Sequence, residues 1–207
     1  MYFFPYGKKA IIIKKTKNEQ KGNKLMHPMT AEFLRSAYGG ESMAHMRYIK
    51  WGQQAEKEGF PNVGRLFKAI SFAEQVHATN HFVVLKNEAG AHSVTSGAGF
   101  GLRTTSQNLE GAIEGEEFEI NEMYPVYLET AKFQGEKAAV TSFTYALSAE
   151  KIHAQMYHDA KESVDGGNDI KLGTVQICNV CGYTVEGEAP DQCPICKAKK
   201  ENFTAFK

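Results

Sequence analysis

Two short stretches, AEQVHA at residues 73–78 and AEKIHA at residues 149–154, decide the fold prediction. Each places a glutamate and a histidine three residues apart, so both side chains project from one face of a helix. Those faces also carry the apolar residues that point toward a protein interior. Because an unpaired buried carboxylate is very unfavourable, each glutamate needs a proton, a cation or a metal ion as its partner. The four residues are Glu74, His77, Glu150 and His153.

Two further predicted helices also carry glutamates among their apolar positions. The first contributes Glu41, and the third contributes Glu116 together with an extra acid, Glu119. No arginine shares a helical stripe with all these acids, so a metal is the better partner. One Glu from each of two helices, with Glu-x-x-His from each of the other two, is the ligand pattern of ferritin-like di-iron bundles. Carboxylate oxygens with imidazole suit iron or manganese.

Apolar residues at helical spacing predict four helices, over residues 30–58, 62–87, 106–134 and 135–163. We expect Thr30 to cap the first helix, and Thr105 or Ser106 to cap the third. Pro125 lies inside the third helix and predicts a kink there.

The connection between the second and third helices is long. Residues 88–106 are rich in glycine and other small residues. A long connection in the middle of a bundle is typical of the ferritin-like topology with one crossover. Gly39–Gly40, inside the first helix, predicts a close approach of another backbone.

All four cysteines lie near the carboxyl end, as Cys178-x2-Cys181 and Cys193-x2-Cys196. Paired knuckles in a chain with no secretory signal indicate a metal site and not disulfides. The four-sulfur set suits zinc or a single iron, and the spacing does not choose between them. We expect a linker over residues 166–173 and a small metal-binding domain over residues 174–207.

The charge of the chain is balanced but unevenly distributed. The 207 residues have a formal net charge of +0, which argues against a general nucleic-acid binder. No apolar run reaches the roughly 18 residues that a membrane span needs. Residues 1–26 hold seven lysines and one acid. We expect residues 1–27 to be a disordered basic extension, or an over-extended start that precedes Met26 or Met29; a membrane-surface or partner-binding arm is the alternative.

Four more side chains are candidates for the surroundings of the metal site. His45 lies four residues after Glu41, and His81 lies four residues after His77. Each could be a ligand, but we expect a supporting or core histidine. We expect Tyr48 and Tyr124 to donate hydrogen bonds to ligand carboxylates.

With both metal motifs in place, the chain resembles the rubrerythrin family over residues 28–207. The resemblance implies a mainly α fold: a ferritin-like four-helix bundle with a long crossover over residues 28–165, then a rubredoxin-like domain. The matching stretches are GGESMAHMRY at 39–48, AEQVHA at 73–78, GEEFEINEMYP at 115–125, AEKIHA at 149–154 and ICNVCGYTVEGEAPDQCPICKAKKENF at 177–203.

The resemblance also implies metals and roles for the site residues. Glu74 and Glu150 would bridge two irons, with Glu41 and Glu116 as terminal carboxylates. His153 would hold one iron. The other iron would move between His77 when reduced and Glu119 when oxidised. A single rubredoxin-type iron would be held by Cys178, Cys181, Cys193 and Cys196.

The activity implied by the resemblance is reduction of hydrogen peroxide to water in oxidative-stress defence, in the cytoplasm. Electrons would come from a protein donor such as a rubredoxin or its NAD(P)H-dependent reductase. Family members form head-to-tail dimers in which the rubredoxin iron of one subunit faces the di-iron site of the other, so a homodimer or higher homo-oligomer is expected. The alternatives are a ferroxidase or iron-handling protein, and a redox sensor with a zinc-ribbon module.

Overall fold

The computed structural model describes residues 25–207. The predicted basic extension lies outside the described residues except for its last three positions. Two of those positions are hydrogen-bonded to residues at the helix ends, since Met26 N donates to Glu88 and His27 N donates to Glu136. The helices are α1 Pro28–Lys57, α2 Pro61–Val84, α3 Thr105–Phe118, a π-helical turn Glu119–Met123, α4 Tyr124–Gln134 and α5 Lys137–Asp165. The strands are β1 Val175–Cys178, β2 Thr184–Glu186 and β3 Phe203–Phe206, with a 3-10 turn at Lys200–Asn202.

The predicted mainly α fold with a four-helix bundle is confirmed. Helix α1 packs along α2, and α5 packs along α3 and α4. Helix α3, the π turn and α4 form one continuous rod, which is the third member of the bundle. Two apolar clusters fill the interior, one containing Tyr48 and Phe67 and the other containing Tyr124 and Phe143. The buried acids lie between them.

The kink predicted at Pro125 takes the form of the π turn. Proline has no backbone N–H and its ring collides with the carbonyl four residues earlier, so a regular α-helix cannot continue through it. Just before Pro125 the helical turn contains one extra residue, so that the Tyr124 N–H donates to the carbonyl of Glu119, five residues earlier. Glu119 therefore lies at the first position of an irregular turn.

The predicted helix caps were wrong by a few residues. Helix α1 begins at Pro28, whose fixed φ suits a first turn, and Thr30 lies inside the helix with its hydroxyl donating to Gln134 at 2.6 Å. Helix α3 is capped by Thr104, which forms a capping box with Gln107. A threonine run offers several possible caps, and the glutamine three residues on selects the first.

The crossover runs over residues 85–104 and lies against α1. The crossover does approach the glycine pair of α1, but with side chains and not with its backbone as predicted: a Cβ atom on Gly39 would stand 2.7 Å from Val94 Cγ1, and one on Gly40 would stand 3.0 Å from Ser96 Oγ. The Trp51 indole N–H donates to the Gly101 carbonyl at 2.9 Å. The crossover thus covers one side of the bundle.

The C-terminal module folds back onto the bundle. Its antiparallel sheet has the order β2-β1-β3, and Val175 and Ile177 pack against alanines of α2. In the linker, the Asp169 carboxylate accepts from the Asn62 and Val63 N–H groups at 2.8 and 3.2 Å, and so caps α2. Within residues 25–207, no helix has both the length and the apolar character needed to cross a bilayer.

Candidate metal centres

Four helical segments bring the predicted bundle residues into one buried cluster. Helix α1 supplies Glu41, α2 supplies Glu74 and His77, α3 supplies Glu116, and α5 supplies Glu150 and His153. None of these six residues is more than 2% exposed. Burial of four carboxylates at the centre of a bundle requires compensating positive charge or protons.

The six residues form two donor groups that share two members. One group contains Glu41, Glu74, His77 and Glu150, and the other contains Glu74, Glu116, Glu150 and His153. Within each group the donor atoms all lie within 4.8 Å of one another. Two ions placed in these groups would therefore have Glu74 and Glu150 in common.

The shared carboxylates lie between the two imidazoles. Glu74 places Oε2 3.0 Å from His77 Nδ1 and Oε1 3.5 Å from His153 Nδ1. Glu150 places Oε1 2.8 Å from His77 Nδ1 and Oε2 2.6 Å from His153 Nδ1. Each carboxylate thus uses both oxygens, one toward each histidine, which is the arrangement that a bridging ligand requires.

Each remaining buried carboxylate is held by a tyrosine. The Tyr48 hydroxyl donates to Glu116 Oε1 at 2.8 Å, and the Tyr124 hydroxyl donates to Glu41 Oε1. The second oxygen of Glu116 lies 3.8 Å from His153 Nδ1, and the second oxygen of Glu41 is buried with no hydrogen-bond partner among the described residues. These are the contacts expected of Tyr48 and Tyr124 from the sequence.

Glu119 lies outside both donor groups. It is half-buried on the π turn and lines a cavity of about 260 Å³ under the crossover, together with Arg47 and Phe100. π-Helical turns are frequent at functional sites. In this structure His77, and not Glu119, is the residue that joins the donor group of Glu41.

Protons balance the charge of the cluster in the protein alone. Burial, followed by the neighbouring carboxylates, raises the pKa of Glu41 and Glu116 well above the usual range. Burial opposes protonation of His153, but Glu150 and Glu74 outweigh it and raise the pKa of that imidazole to about 9. The same contacts raise the pKa of His77 and, against burial, lower the pKa of Glu74.

The protein's own hydrogen bonds do not complete the cluster. Among the described residues, Glu41 Oε2, Glu74 Oε1, Glu116 Oε2 and Glu150 Oε1 are buried and accept no well-directed hydrogen bond, although Glu150 Oε1 lies 2.8 Å from His77 Nδ1. One such oxygen on each of four carboxylates, in a cluster with two imidazoles, fits a pair of cations with oxygen and nitrogen ligands.

The two additional histidines are not in the donor groups. His45 Nδ1 lies 2.7 Å from the Ser71 carbonyl, away from the acids. His81 is fully buried and contacts the Tyr124 hydroxyl and the Ser142 hydroxyl. The supporting position expected of a histidine is thus occupied by His81, whereas His45 is half-buried and, among the described residues, hydrogen-bonds Ser71 only.

The four cysteines form a second centre. Cys178 Sγ lies 3.6 Å from Cys196 Sγ, and Cys181 Sγ lies 3.5 Å from Cys193 Sγ. These separations are too long for disulfides and close to the edge of about 3.8 Å of a tetrahedron with metal–sulfur bonds of about 2.3 Å. Each knuckle closes on a residue with positive φ, Gly182 or Lys197. The thiols therefore fit one tetrahedral metal ion.

The first knuckle touches both histidines of the bundle cluster. Thr184 Oγ1 lies 2.8 Å from His153 Nε2. A Cβ atom on Gly182 would stand 2.1 Å from His77 Nε2, so only glycine fits there. The resemblance implied such proximity between different subunits, whereas here the module lies against the bundle of its own chain.

Three residues of this neighbourhood were not expected to be near the site. They are Thr184, which contacts His153, Ser142, which contacts His81, and Gly182, which lies against His77. No pattern in the sequence predicts these contacts, because each depends on how separate elements pack.

Comparison with protein-family models gives two matches. A model described as rubrerythrin matches residues 32–161, and one described as rubrerythrin, rubredoxin-like domain, matches residues 176–204. The matches contain both clusters.

Individual proteins are similar over most of the chain. Rubrerythrin-2 of Clostridium acetobutylicum is 58% identical over 178 residues, which cover 86% of this chain and 97% of that protein. Nigerythrin of Nitratidesulfovibrio vulgaris is 32% identical over 177 residues, or 86% of each. The fully reduced nigerythrin structure superposes with a TM-score of 0.76 at 28% identity and covers 94% of this chain and 99% of that one. A Mycobacterium tuberculosis bacterioferritin, with a TM-score of 0.62 at 16% identity over 69% and 90% of the chains, shares the fold alone.

Proposed function

The chain belongs to the rubrerythrin family, and from that premise we propose that it is a peroxidase that reduces hydrogen peroxide to water, with electrons delivered through its cysteine module. The family consists of oxidoreductases that carry a di-iron site and a rubredoxin-type iron, and both clusters are present here. The observation that carries the proposal is the contact of the cysteine module with His77 and His153.

We propose as metal ligands the residues of the two clusters. In the bundle they are Glu41, Glu74, His77, Glu116, Glu150 and His153, with Glu119 as a further ligand that replaces His77 in one oxidation state. In the module they are Cys178, Cys181, Cys193 and Cys196. When bound, the bundle irons supply two electrons and Lewis-acid polarisation for cleavage of one O–O bond, and the module iron supplies replacement electrons one at a time.

The protein's own groups prepare the site for that reaction. Tyr48 and Tyr124 hold the outer carboxylates in fixed orientations. Burial and the neighbouring Glu150 and Glu74 raise the pKa of Glu119, so its carboxyl group can hold a proton beside the cavity. Peroxide reduction consumes two protons, and Glu119 lines a cavity that would admit a small polar substrate.

Contacts of the module hold the electron-transfer centre in place. Thr184 donates its hydroxyl hydrogen to the Gly182 carbonyl, so His153 Nε2–H donates to Thr184. His153 is thereby held with Nδ1 free to face the carboxylates. Asn80 of α2 donates to the Val180 carbonyl at 2.9 Å and adds a second anchor.

The partly exposed side of the cysteine module indicates where an electron-donor protein would bind. Cys196 is the one partly exposed thiol of the four, so a donor protein such as a rubredoxin or an NAD(P)H-dependent reductase would approach there. We propose a homodimer or higher homo-oligomer. The free thiols suit the reducing cytoplasm.

The test is anaerobic reduction of the iron-loaded full-length protein followed by hydrogen peroxide. We expect rapid consumption of peroxide and return of the sulfur-to-ferric absorption of the module. Sustained turnover should appear when a reductant of the module is supplied. A protein that accumulates ferric iron without turnover would support iron handling, and a colourless, zinc-containing module would support the sensor; either result would contradict the proposal.

A further inference from the structure

A line of hydrogen bonds extends behind Glu41, away from the donor groups. His81 is fully buried on α2, one turn after His77. Its Nε2 atom lies 3.0 Å from the Tyr124 hydroxyl, and its Nδ1 atom lies 2.8 Å from the Ser142 hydroxyl. Both ring nitrogens are therefore used, and Nε2 also lies 3.9 Å from Glu41 Oε1.

The number of hydrogens that each group carries determines which group donates in each of these hydrogen bonds. The Tyr124 hydroxyl has one hydrogen, which it donates to Glu41 Oε1. The Tyr124 oxygen must then accept from His81, so the imidazole carries its hydrogen on Nε2 and accepts from Ser142 at Nδ1. Every hydrogen in the line points toward Glu41.

The consequence for Glu41 is a carboxylate with two different oxygens. Oε1 is engaged by Tyr124 and lies 3.9 Å from His77 Nδ1, whereas Oε2 is buried with no hydrogen-bond partner among the described residues. Because His81 holds the Tyr124 oxygen, the Tyr124 hydroxyl is fixed on Oε1, which leaves Oε2 as the oxygen with free lone pairs for a metal ion.

The opposite half of the cluster lacks this support. Tyr48 donates to Glu116 in the same way, but its ring packs against Trp51, Phe67 and Tyr157, with ring centroids 5.4 to 5.8 Å apart. No histidine of the described chain contacts the Tyr48 hydroxyl. Each outer carboxylate thus accepts from a tyrosine, but only the tyrosine that holds Glu41 is itself hydrogen-bonded to a histidine among the described residues.

We propose that His81, oriented by Ser142, is a positioning residue that fixes Tyr124 and through it presents Glu41 Oε2 to one of the two bundle metal ions. The inference rests on the proposed ligand role of Glu41. The two metal positions then differ in their surroundings. Glu41 is held by a hydrogen-bonded series of Ser142, His81 and Tyr124, whereas Glu116 is held by Tyr48, whose ring packs against other aromatic rings.

The experiment is a mutant cycle on metal affinity in the full-length chain. Ferrous iron is titrated anaerobically into protein whose cysteine module is already loaded, and the two bundle sites are followed by circular dichroism. The variants are His81→Leu, which removes the donor, His81→Gln, which keeps an N–H donor, Tyr124→Phe, and His81→Leu with Tyr124→Phe. Phe143→Leu, beside the His81 ring, controls for packing.

We expect His81→Leu to weaken one of the two bundle binding steps by about tenfold or more, in the range usual for residues that orient metal ligands. His81→Gln should restore most of the affinity, and Phe143→Leu should leave it near that of the parent protein. The double variant should bind iron with the same affinity as Tyr124→Phe alone, because His81 acts on the metal site through Tyr124. Parent-like affinity in His81→Leu, or additive losses in the double variant, would overturn the proposal.

Two further readouts keep the result unambiguous. If His81→Leu does not fold, Ser142→Ala takes its place in the cycle, and additivity with Tyr124→Phe overturns the proposal. Peroxide turnover of the parent protein is measured separately. A parent that binds two bundle irons and shows the non-additive cycle without turning over peroxide would refute the proposed function and leave this inference standing.

Discussion

At the residue scale, the bundle site depends on two carboxylates that each face two imidazoles. Glu74 and Glu150 belong to both donor groups, whereas Glu41 and Glu116 belong to one each. With the proposed ligand set, a change at a shared residue would remove a ligand from both metal positions at once. The protein should therefore be more sensitive at the shared pair than at the outer pair.

The first prediction concerns Glu74→Ala. We expect the bundle to lose both irons while the cysteine module keeps its own, because each donor group is left with three members. Stability should fall by about 3 kcal/mol, since histidine charge is left without its buried partner. Metal analysis and urea unfolding measure both effects. Glu110→Ala, an exposed acid on α3, is the control and should change neither; full bundle iron in Glu74→Ala would contradict the ligand assignment.

The second prediction concerns the pH dependence of the metal-free protein. The pKa of His153 is raised to about 9 in the folded state from 6.5 in the unfolded chain, so the folded state binds more protons in this range. Its stabilisation is complete below pH 6.5 and is lost as the pH rises through 9. The raised pKa values of Glu41 and Glu116 act in the same direction.

We therefore expect the free energy of unfolding of the metal-free protein to fall from pH 6.5 to pH 9, by on the order of 3 kcal/mol. Urea unfolding at a series of pH values measures it. His153→Gln should show a shallower fall. A stability that stays constant or rises over this range in the parent protein would show that the cluster is not held by protons.

At the element scale, irregular segments set the position of the site. The π turn that precedes Pro125 places Glu119 beside the cavity and keeps Tyr124 directed at Glu41. The linker acts in a similar way, since Asp169 ties the start of the module to the start of α2. Both segments are short. The π turn sets the position of Glu119, and the linker contact sets where the module begins relative to α2.

The third prediction concerns that linker. Asp169→Ala should lower the free energy of unfolding by about 1 kcal/mol, because two N–H groups at the start of α2 lose their acceptor. Chemical denaturation measures the change. Asp159→Ala, an exposed acid on α5, is the matched control, and its free energy of unfolding should stay within about 0.5 kcal/mol of the parent value. Equal effects of the two substitutions would mean that Asp169 does not cap the helix.

Much of the architecture could be predicted from the sequence. Helical spacing indicates the four rods, and buried acids in Glu-x-x-His pairs indicate the bundle cluster, because these signals are local. The cap at Thr104, the π form of the kink and the helix cap from Asp169 were missed. Each of these depends on competition between neighbouring residues or on a contact between distant elements, which periodicity does not contain.

At the scale of the whole molecule, the two metal centres of one chain are brought into contact. Gly182 lies against His77, and Thr184 contacts His153. Tyr145 of α5 packs against the cysteine cluster from the side of the bundle. If the module relays electrons as proposed, its fit against these two histidines should control turnover.

The fourth prediction concerns that fit. Gly182→Ala should displace the module, because the added Cβ would stand 2.1 Å from His77 Nε2, and re-reduction of the bundle by the module should slow at least tenfold. Gly187→Ala is the control, since Gly187 also has positive φ but no atom within 4 Å of an added Cβ. Stopped-flow absorption measures the rate. If both variants slow equally, backbone strain and not the contact is responsible.

The central claim, that the cysteine module relays electrons to the bundle, is tested most directly with Cys193→Ser. A hydroxyl is a poor ligand for a soft four-sulfur site, whereas the bundle ligands lie on separate helices. Single-turnover and steady-state peroxide assays are run on the same iron-loaded variant. We predict that the chemically reduced bundle still consumes one round of peroxide, while steady-state turnover with a protein reductant collapses. Steady-state turnover at the parent level would contradict the account and make the module structural.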